Sequence, residues 1–286
     1  MLRPPVQFSV PPGSTTTRTL QSGIESYIDT PGENDVAVHA IFTDAMAAEL
    51  FSKMAGMEAF ASSIEFVKQE WESNYRDRKI VTGFMKDRGL GDKRLISMAD
   101  RTTNCIDTVD GLACRPTITN NYSHPLPSLE AWWPQWMQFM FDEDIVVKAG
   151  AAPQRAYNRF KAIKKAKYPA IEDTEALHSL SLQTLCLAIF DAIMVNMMNT
   201  LKPGVWEEIK AELYSGLSEQ KVPHCLGILE QRYSESDVIF LQETSVKFLE
   251  TFRSHALADK YFVVVPEAFD SERNQNSVRV LLCLAV

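Results

Sequence analysis

Closely spaced cysteine pairs are what this sequence most plainly lacks. Its five cysteines are Cys105, Cys114, Cys186, Cys225 and Cys283, and no two of them form a CxxC. This excludes a four-thiolate zinc ribbon and a thioredoxin-like motif, both of which need such pairs. His224 stands beside Cys225, but no second pair nearby completes a tetrahedral metal site. An odd count at wide spacing reads as reduced, mostly buried thiols of an intracellular protein.

An excess of basic charge is also missing. Lys and Arg number 29 against 37 Asp and Glu, for a net charge of -8. A field of that sign repels phosphates and argues against a chain that coats nucleic acid. A local basic groove or a metal-dependent site survives the objection, because a bound cation dominates its own surroundings. A secretory leader is absent from the reading as well. Residues 1–33 are rich in Pro, Ser, Thr and Gly, carry Arg3 and Arg18, and have no acid before Glu25. They read as a disordered tail with a weak likeness to an organelle transit peptide.

What remains is ordinary globular composition, 45% hydrophobic and 23% charged. Residues 34–221 read as a helical region. Ile41, Met46, Leu50, Phe51 and Met54 recur at helical spacing, and Phe60, Ile64, Val67 and Trp71 continue the pattern after Gly56. This is a helical hairpin or a bent helix with a core-facing stripe. Short helices are expected over Lys79–Met85 and Lys93–Met98. Thr117, Ile118 and Thr119 favour extended structure before Pro125. A long apolar helix starts at Asp173 or Thr174 and ends near Leu201. Asp191 sits inside it, and an unpaired Asp at a bilayer centre costs about 3 kcal/mol, so the helix reads as buried rather than membrane-spanning. Pro203 opens another helix, with Glu207 and Glu208 in its first turn and Gly216 past its end.

Two clusters offer surfaces. Trp132, Trp133 and Trp136 follow Ser128, a good N-cap. Such rings stack nucleobases in other settings, but the neighbours Glu130, Asp142, Glu143 and Asp144 are acidic, which favours core packing. Over 153–168, Arg155, Arg159, Lys161, Lys164, Lys165 and Lys167 interleave with Tyr157, Phe160 and Ile163. This predicts a basic amphipathic helix, either simply solvated or serving an acidic or phosphate-bearing partner.

Over 222–286 the period changes. Asp237-Val238-Ile239-Phe240-Leu241-Gln242-Glu243 is a short apolar run suited to a buried strand. A helix over Val246–His255, a strand over Tyr261–Val265 and a strand over Ser277–Val286 follow. The fold class is therefore α+β, largely helical and then a partial β-sheet. A carboxylate at a strand end is held rigidly enough to place an oxygen on a divalent cation, which polarises a phosphoryl oxygen or activates a water.

The run ending in Gln242-Glu243 resembles the second-strand motif of the endonuclease/exonuclease/phosphatase superfamily, and the order of elements after it is similar. The resemblance covers about residues 222–286. It implies the start of a four-layered α/β sandwich, Glu243 as the catalytic metal-binding carboxylate, and Mg²⁺ (or Mn²⁺) as cofactor. The implied substrate is a phosphate ester in a nucleic acid, a nucleotide or a phospholipid head group. The family's first-strand Asn has its nearest candidate in Asn121, more than a hundred residues upstream. The later motifs, Gly-Asp-x-Asn and Ser-Asp-His, are missing. The resemblance thus implies a metal-dependent phosphoesterase represented by a truncated catalytic domain. The second reading is a non-catalytic helical interaction protein that binds a protein or phosphate-bearing partner and whose terminal strands pair with another chain.

Overall fold

The computed structural model describes residues 15–216, 220–244, 246–264 and 276–283. The chain divides after Lys210 into two compact units. The described residues are mostly helical. In chain order they form α1 (Thr15–Asp29), α2 (Asp44–Ala55), α3 (Glu58–Ala61), α4 (Ile64–Glu70), α5 (Arg88–Lys93), α6 (Ser97–Thr103), β1 (Cys105–Thr108), β2 (Gly111–Cys114), α7 (Leu129–Met137), α8 (Asp173–Leu177) and α9 (Ser179–Leu201). Then come α10 (Trp206–Tyr214), α11 (Lys221–Tyr233), β3 (Val238–Thr244), α12 (Val246–Arg253), β4 (Tyr261–Val264) and β5 (Asn276–Cys283).

The first unit is built around α9. This helix is apolar on every side, and a helix of that kind has no solvent face to offer. Leu182, Leu185, Cys186, Leu187, Ala188, Ile189, Ala192, Ile193 and Val195 are all fully buried. Helices α1, α4, α6, α7 and α8 pack on it. Each of its buried Leu and Ile side chains contributes about 1.5–3 kcal/mol relative to exposure. Its length and composition would suit a membrane, but most of its apolar stretch is buried within the protein. The tryptophan cluster joins the same core. Trp133 and Trp136 stack with centroids 5.5 Å apart, and Phe42 meets Trp133 edge-on at 5.4 Å. Each indole N–H has an acceptor: the Pro116 carbonyl for Trp132 at 2.8 Å, Glu49 for Trp133 at 2.6 Å and Asp191 for Trp136 at 2.9 Å. Ser128 caps α7 by accepting from the Ala131 N–H at 3.2 Å, as its residue type favours.

At the centre lies an ion pair with no solvent contact. Arg115 and Asp191 have fully buried side chains. Arg115 Nε donates to Asp191 Oδ2 at 2.7 Å and Nη2 to Oδ1 at 3.4 Å. Thr117 donates to Oδ1 at 2.8 Å, and Trp136 completes the set on Oδ2. The guanidinium also reaches Thr103 Oγ1 at 2.8 Å and Asp100 Oδ1 at 2.6 Å. Burial pulls the Arg115 pKa down, but Asp191 and Asp100 outweigh it and hold the group above its ordinary value.

Several expectations from sequence need correction. Residues 153–168 do not form a basic amphipathic helix: only Ala156–Arg159 makes a single 3₁₀ turn, and Phe160 is already extended at φ -61°, ψ 145°. Ala156, Phe160 and Ile163 are buried at helix-like spacing, yet the backbone between them finds partners elsewhere. The Ile163 N–H donates to Ser179 Oγ at 3.1 Å, and Gln183 Nε2 donates to the Lys161 carbonyl at 3.0 Å. Side chains of α9 thus replace the helical ladder that the segment would have made. The cysteines are not all reduced either. Cys105 and Cys114 face each other across the β1–β2 hairpin and form a disulfide. Cys186 and Cys225 remain free. Closing so short a loop is worth about 3 kcal/mol in the chain-entropy model.

The second unit carries an antiparallel sheet of order β3-β5-β4. The register sets Val238 against Leu282 and Leu282 against Phe262, then Phe240 against Val280 and Val280 against Val264. Alternate residues of the outer strands, Ile239 and Tyr261, are buried with Val222, Leu226 and Leu229 of α11 and Phe248 and Phe252 of α12. The Tyr261 hydroxyl donates to the Ser236 carbonyl at 2.8 Å. Strand, helix, strand and strand follow in the order expected from sequence. A four-layered sandwich is not formed among the described residues: one three-stranded sheet has helices on one face.

The central ion pair generates a prediction. Asp191→Ala leaves Arg115 buried without its main counter-charge and is expected to cost about 3–5 kcal/mol. The double change Arg115→Met with Asp191→Leu removes both charges and is expected to recover most of that loss. Urea unfolding followed by tryptophan fluorescence measures both.

Candidate functional site

The two residues singled out as metal ligands fall in different units. Glu243 lies on β3, but its side chain is outside the described residues. Asn121 lies in the loop between β2 and α7 of the first unit, where it lines a cleft of about 400 Å³. Among the described residues no three His, Cys, Asp or Glu side chains are grouped so as to hold a metal ion.

The cleft is shaped by a loop whose backbone is pinned from several directions. Asn120 Nδ2 donates to the carbonyls of Asn104 at 2.6 Å and Arg115 at 2.8 Å, and its Oδ1 accepts from the Tyr122 N–H at 2.9 Å. Glu207 accepts from the Leu126 N–H at 2.6 Å, and Asn199 donates to the Leu126 carbonyl at 2.8 Å. Trp206 in turn donates to Asn199 Oδ1 at 2.9 Å. Lys210 Nζ donates to the carbonyls of Thr117 at 3.1 Å and Tyr122 at 2.9 Å, with its charge 5.8 Å from the Trp206 ring centre. Irregular backbone at a partly buried position must find such partners, so the loop is held in one shape.

The cleft wall is mostly polar. Asn121, Ser123, His124, Gln135, Gln138 and Glu143 line it, with Leu112, Cys114, Pro116 and Phe139 as the less polar part. The Tyr122 hydroxyl donates to Gln135 Oε1 at 2.5 Å, and burial together with the Glu143 charge raises the Tyr122 pKa. The Tyr122 and His124 rings lie 5.5 Å apart. Amide, hydroxyl and imidazole groups around a space of this size suit a small polar ligand. Sequence reasoning singled out Asn121 but missed Gln135, Gln138 and His124, since nothing in their spacing announces a shared wall.

A second cleft, of about 390 Å³, is lined by Phe66, Glu70, Tyr75, Arg78, Asp87, Lys93, Glu172 and Glu175. Its charges are largely spent on each other, with Arg78–Asp87 and Lys93–Glu175 both at 2.6 Å. Tyr75 has its pKa raised by burial, and the neighbouring Cys186 thiol is pushed up to about 12 by the same cause. Of the basic stretch, Arg155 pairs with Asp144 at 2.9 Å and Lys165 with Asp173 at 2.7 Å. Arg94 and Lys167 lie over the Tyr168 ring at 5.8 and 5.5 Å. Those charges are committed locally.

Lys210 gives the cleft loop a pH dependence. Burial pulls its pKa down to about 8, against the opposing pull of Glu207. The unfolded chain holds that proton to about pH 10.4, so between about 8 and 10 the unfolded state binds more protons than the folded one. Stability from this group therefore rises with pH through that window and is lost as pH falls through 8. Lys210→Met is expected to remove this rise, measured as the difference between the pH–stability curves of wild type and variant.

No curated protein and no solved structure matches this chain. One family model does, a domain of unknown function, DUF8234, over residues 35–211. The resemblance of residues 222–286 to the endonuclease/exonuclease/phosphatase superfamily is thereby overturned, since no model of that superfamily matches. A short apolar strand ending in Gln-Glu is what any buried strand with a polar end looks like. The match spans the first unit from the turn before α2 to the middle of α10, more than half of the sequence, and the chain belongs to the DUF8234 family.

Proposed function

We propose that this is a non-catalytic interaction protein whose second unit docks a protein partner on the bare face of its sheet. The observation that carries the reading is the exposure of Val238, Phe240, Phe262 and Val264. They are 43%, 71%, 57% and 45% exposed and stand on one face by register. An antiparallel sheet that meets water on one face alternates polar and apolar residues. These strands do not alternate: Val238-Ile239-Phe240-Leu241 and Tyr261-Phe262-Val263-Val264 are apolar throughout. That pattern belongs to strands covered on both sides. Helices α11 and α12 cover one side, and a partner's apolar surface suits the other. Two exposed Phe rings on a rigid sheet are the residue type that dominates binding energy when buried.

The test is a photo-crosslinking residue placed at Phe240, with Leu177, which is 79% exposed and lies in the first unit, as the control position. A single dominant adduct, either another protein or a second copy, is expected from position 240 and not from 177. Phe240→Asp is expected to weaken that association by about 30-fold or more, as loss of a central aromatic contact does, with circular dichroism unchanged. Equal, diffuse labelling from both positions defeats the reading.

A further inference from the structure

Cys105 and Cys114 are Cα partners 4.0 Å apart in the hairpin. One step outward, the Arg115 N–H donates to the Asn104 carbonyl at 2.9 Å. The cysteines therefore occupy the narrow, non-hydrogen-bonded position, where opposed side chains of an antiparallel pair come closest. The backbone hydrogen bonds of the flanking pair hold the two strands together independently of the bond between the sulfurs. The hairpin belongs to a sheet of two strands only, an arrangement with little stability of its own. Both cysteines are half-buried.

The two cysteines have different surroundings. Cys114 lines the polar cleft and Cys105 does not. A thiol held in the cleft therefore meets one cysteine of the pair and not the other. The amides of Asn121 and Gln138 on the same wall make no hydrogen bond within the protein among the described residues, so they are available to peptide groups and carboxylates of a ligand. From this geometry we infer that Cys105–Cys114 is a thiol-exchange site, entered through the cleft by a small peptide thiol that attacks Cys114.

The exchange balances without another reactant. The thiolate bonds to Cys114 Sγ, the bond between the two cysteines breaks, and Cys105 leaves as a thiolate that takes a proton from water. A second molecule of the thiol attacks the mixed disulfide, freeing Cys114 and departing as the small thiol's own disulfide. Two small thiols are oxidised and one cystine is reduced. Disulfides that a small thiol can reach are the ones that behave in this way. Cys186, buried in α9, takes no part.

The test uses the full chain and reduced glutathione, with acid quenching, alkylation and peptide mapping by mass spectrometry. The expected result is glutathione on Cys114, a free thiol on Cys105 and an unmodified Cys186, with circular dichroism unchanged. Asn121→Ala with Gln138→Ala is expected to slow adduct formation several-fold. Cys105→Ser is expected to take glutathione from its disulfide onto Cys114 directly. An adduct on Cys105, an even split between the two, or reduction only in denaturing urea overturns the inference and leaves the disulfide a structural staple.

Discussion

The first unit depends on a charge pair that water never reaches. Taking Arg115 and Asp191 out of solvent costs several kcal/mol per ion; hydrogen bonds from Arg115, Thr117 and Trp136 to the two carboxylate oxygens offset part of it, while burial still holds the Asp191 pKa above its ordinary value. The geometry is demanding. It needs α9 at the correct rotation for Asp191, α7 at the correct height for Trp136, α6 close enough for Thr103, and the irregular segment after Cys114 aligned to deliver Arg115 and Thr117. A core of Leu and Ile alone would tolerate slippage along these helices. A guanidinium with three separate acceptors does not, so the pair fixes the register of elements that hydrophobic contact merely draws together.

The same pair explains why the cleft has a stable shape. Arg115 and Thr117 are the anchored end of the loop that continues through Asn121 and His124. Asn120, Lys210, Glu207 and Asn199 hold the rest. The second unit works differently. It has its own small core under one face of a sheet, and the other face keeps large apolar side chains in water. Large apolar side chains are exposed in both units, but in the second they share one face of a sheet. That contrast is what supports the binding role proposed for the second unit.

Much of the architecture was legible in the sequence because it rests on local pattern. The all-round apolar run around Asp191, the Ser128 cap, the burial of the tryptophans and the strand–helix–strand–strand order were each readable from neighbouring residues. What escaped depends on distant partners. Nothing in the sequence distinguishes Arg115 from other arginines, because its meaning comes from a residue on α9. The disulfide depends on the register of a short hairpin, which sequence spacing does not reveal. Residues 153–168 have the burial period of a helix, and only Ser179 and Gln183 show that an extended path satisfies their backbone equally well. Asn121 was singled out through a family likeness that does not hold, and it lines a cleft for reasons that likeness did not contain.

Arg115 and Asp191 are 76 residues apart in the chain. A ribosome adds about 5–20 residues per second, so Arg115 waits several seconds for its counter-charge. Until then α6, α7 and the hairpin have neither their central helix nor the group that sets their register, and the tryptophans have no fixed place to pack. The hairpin cysteines, nine residues apart, meet long before. The core of the first unit therefore has no fixed arrangement before α9 emerges, and the nascent chain up to that point carries its aromatic surface uncovered.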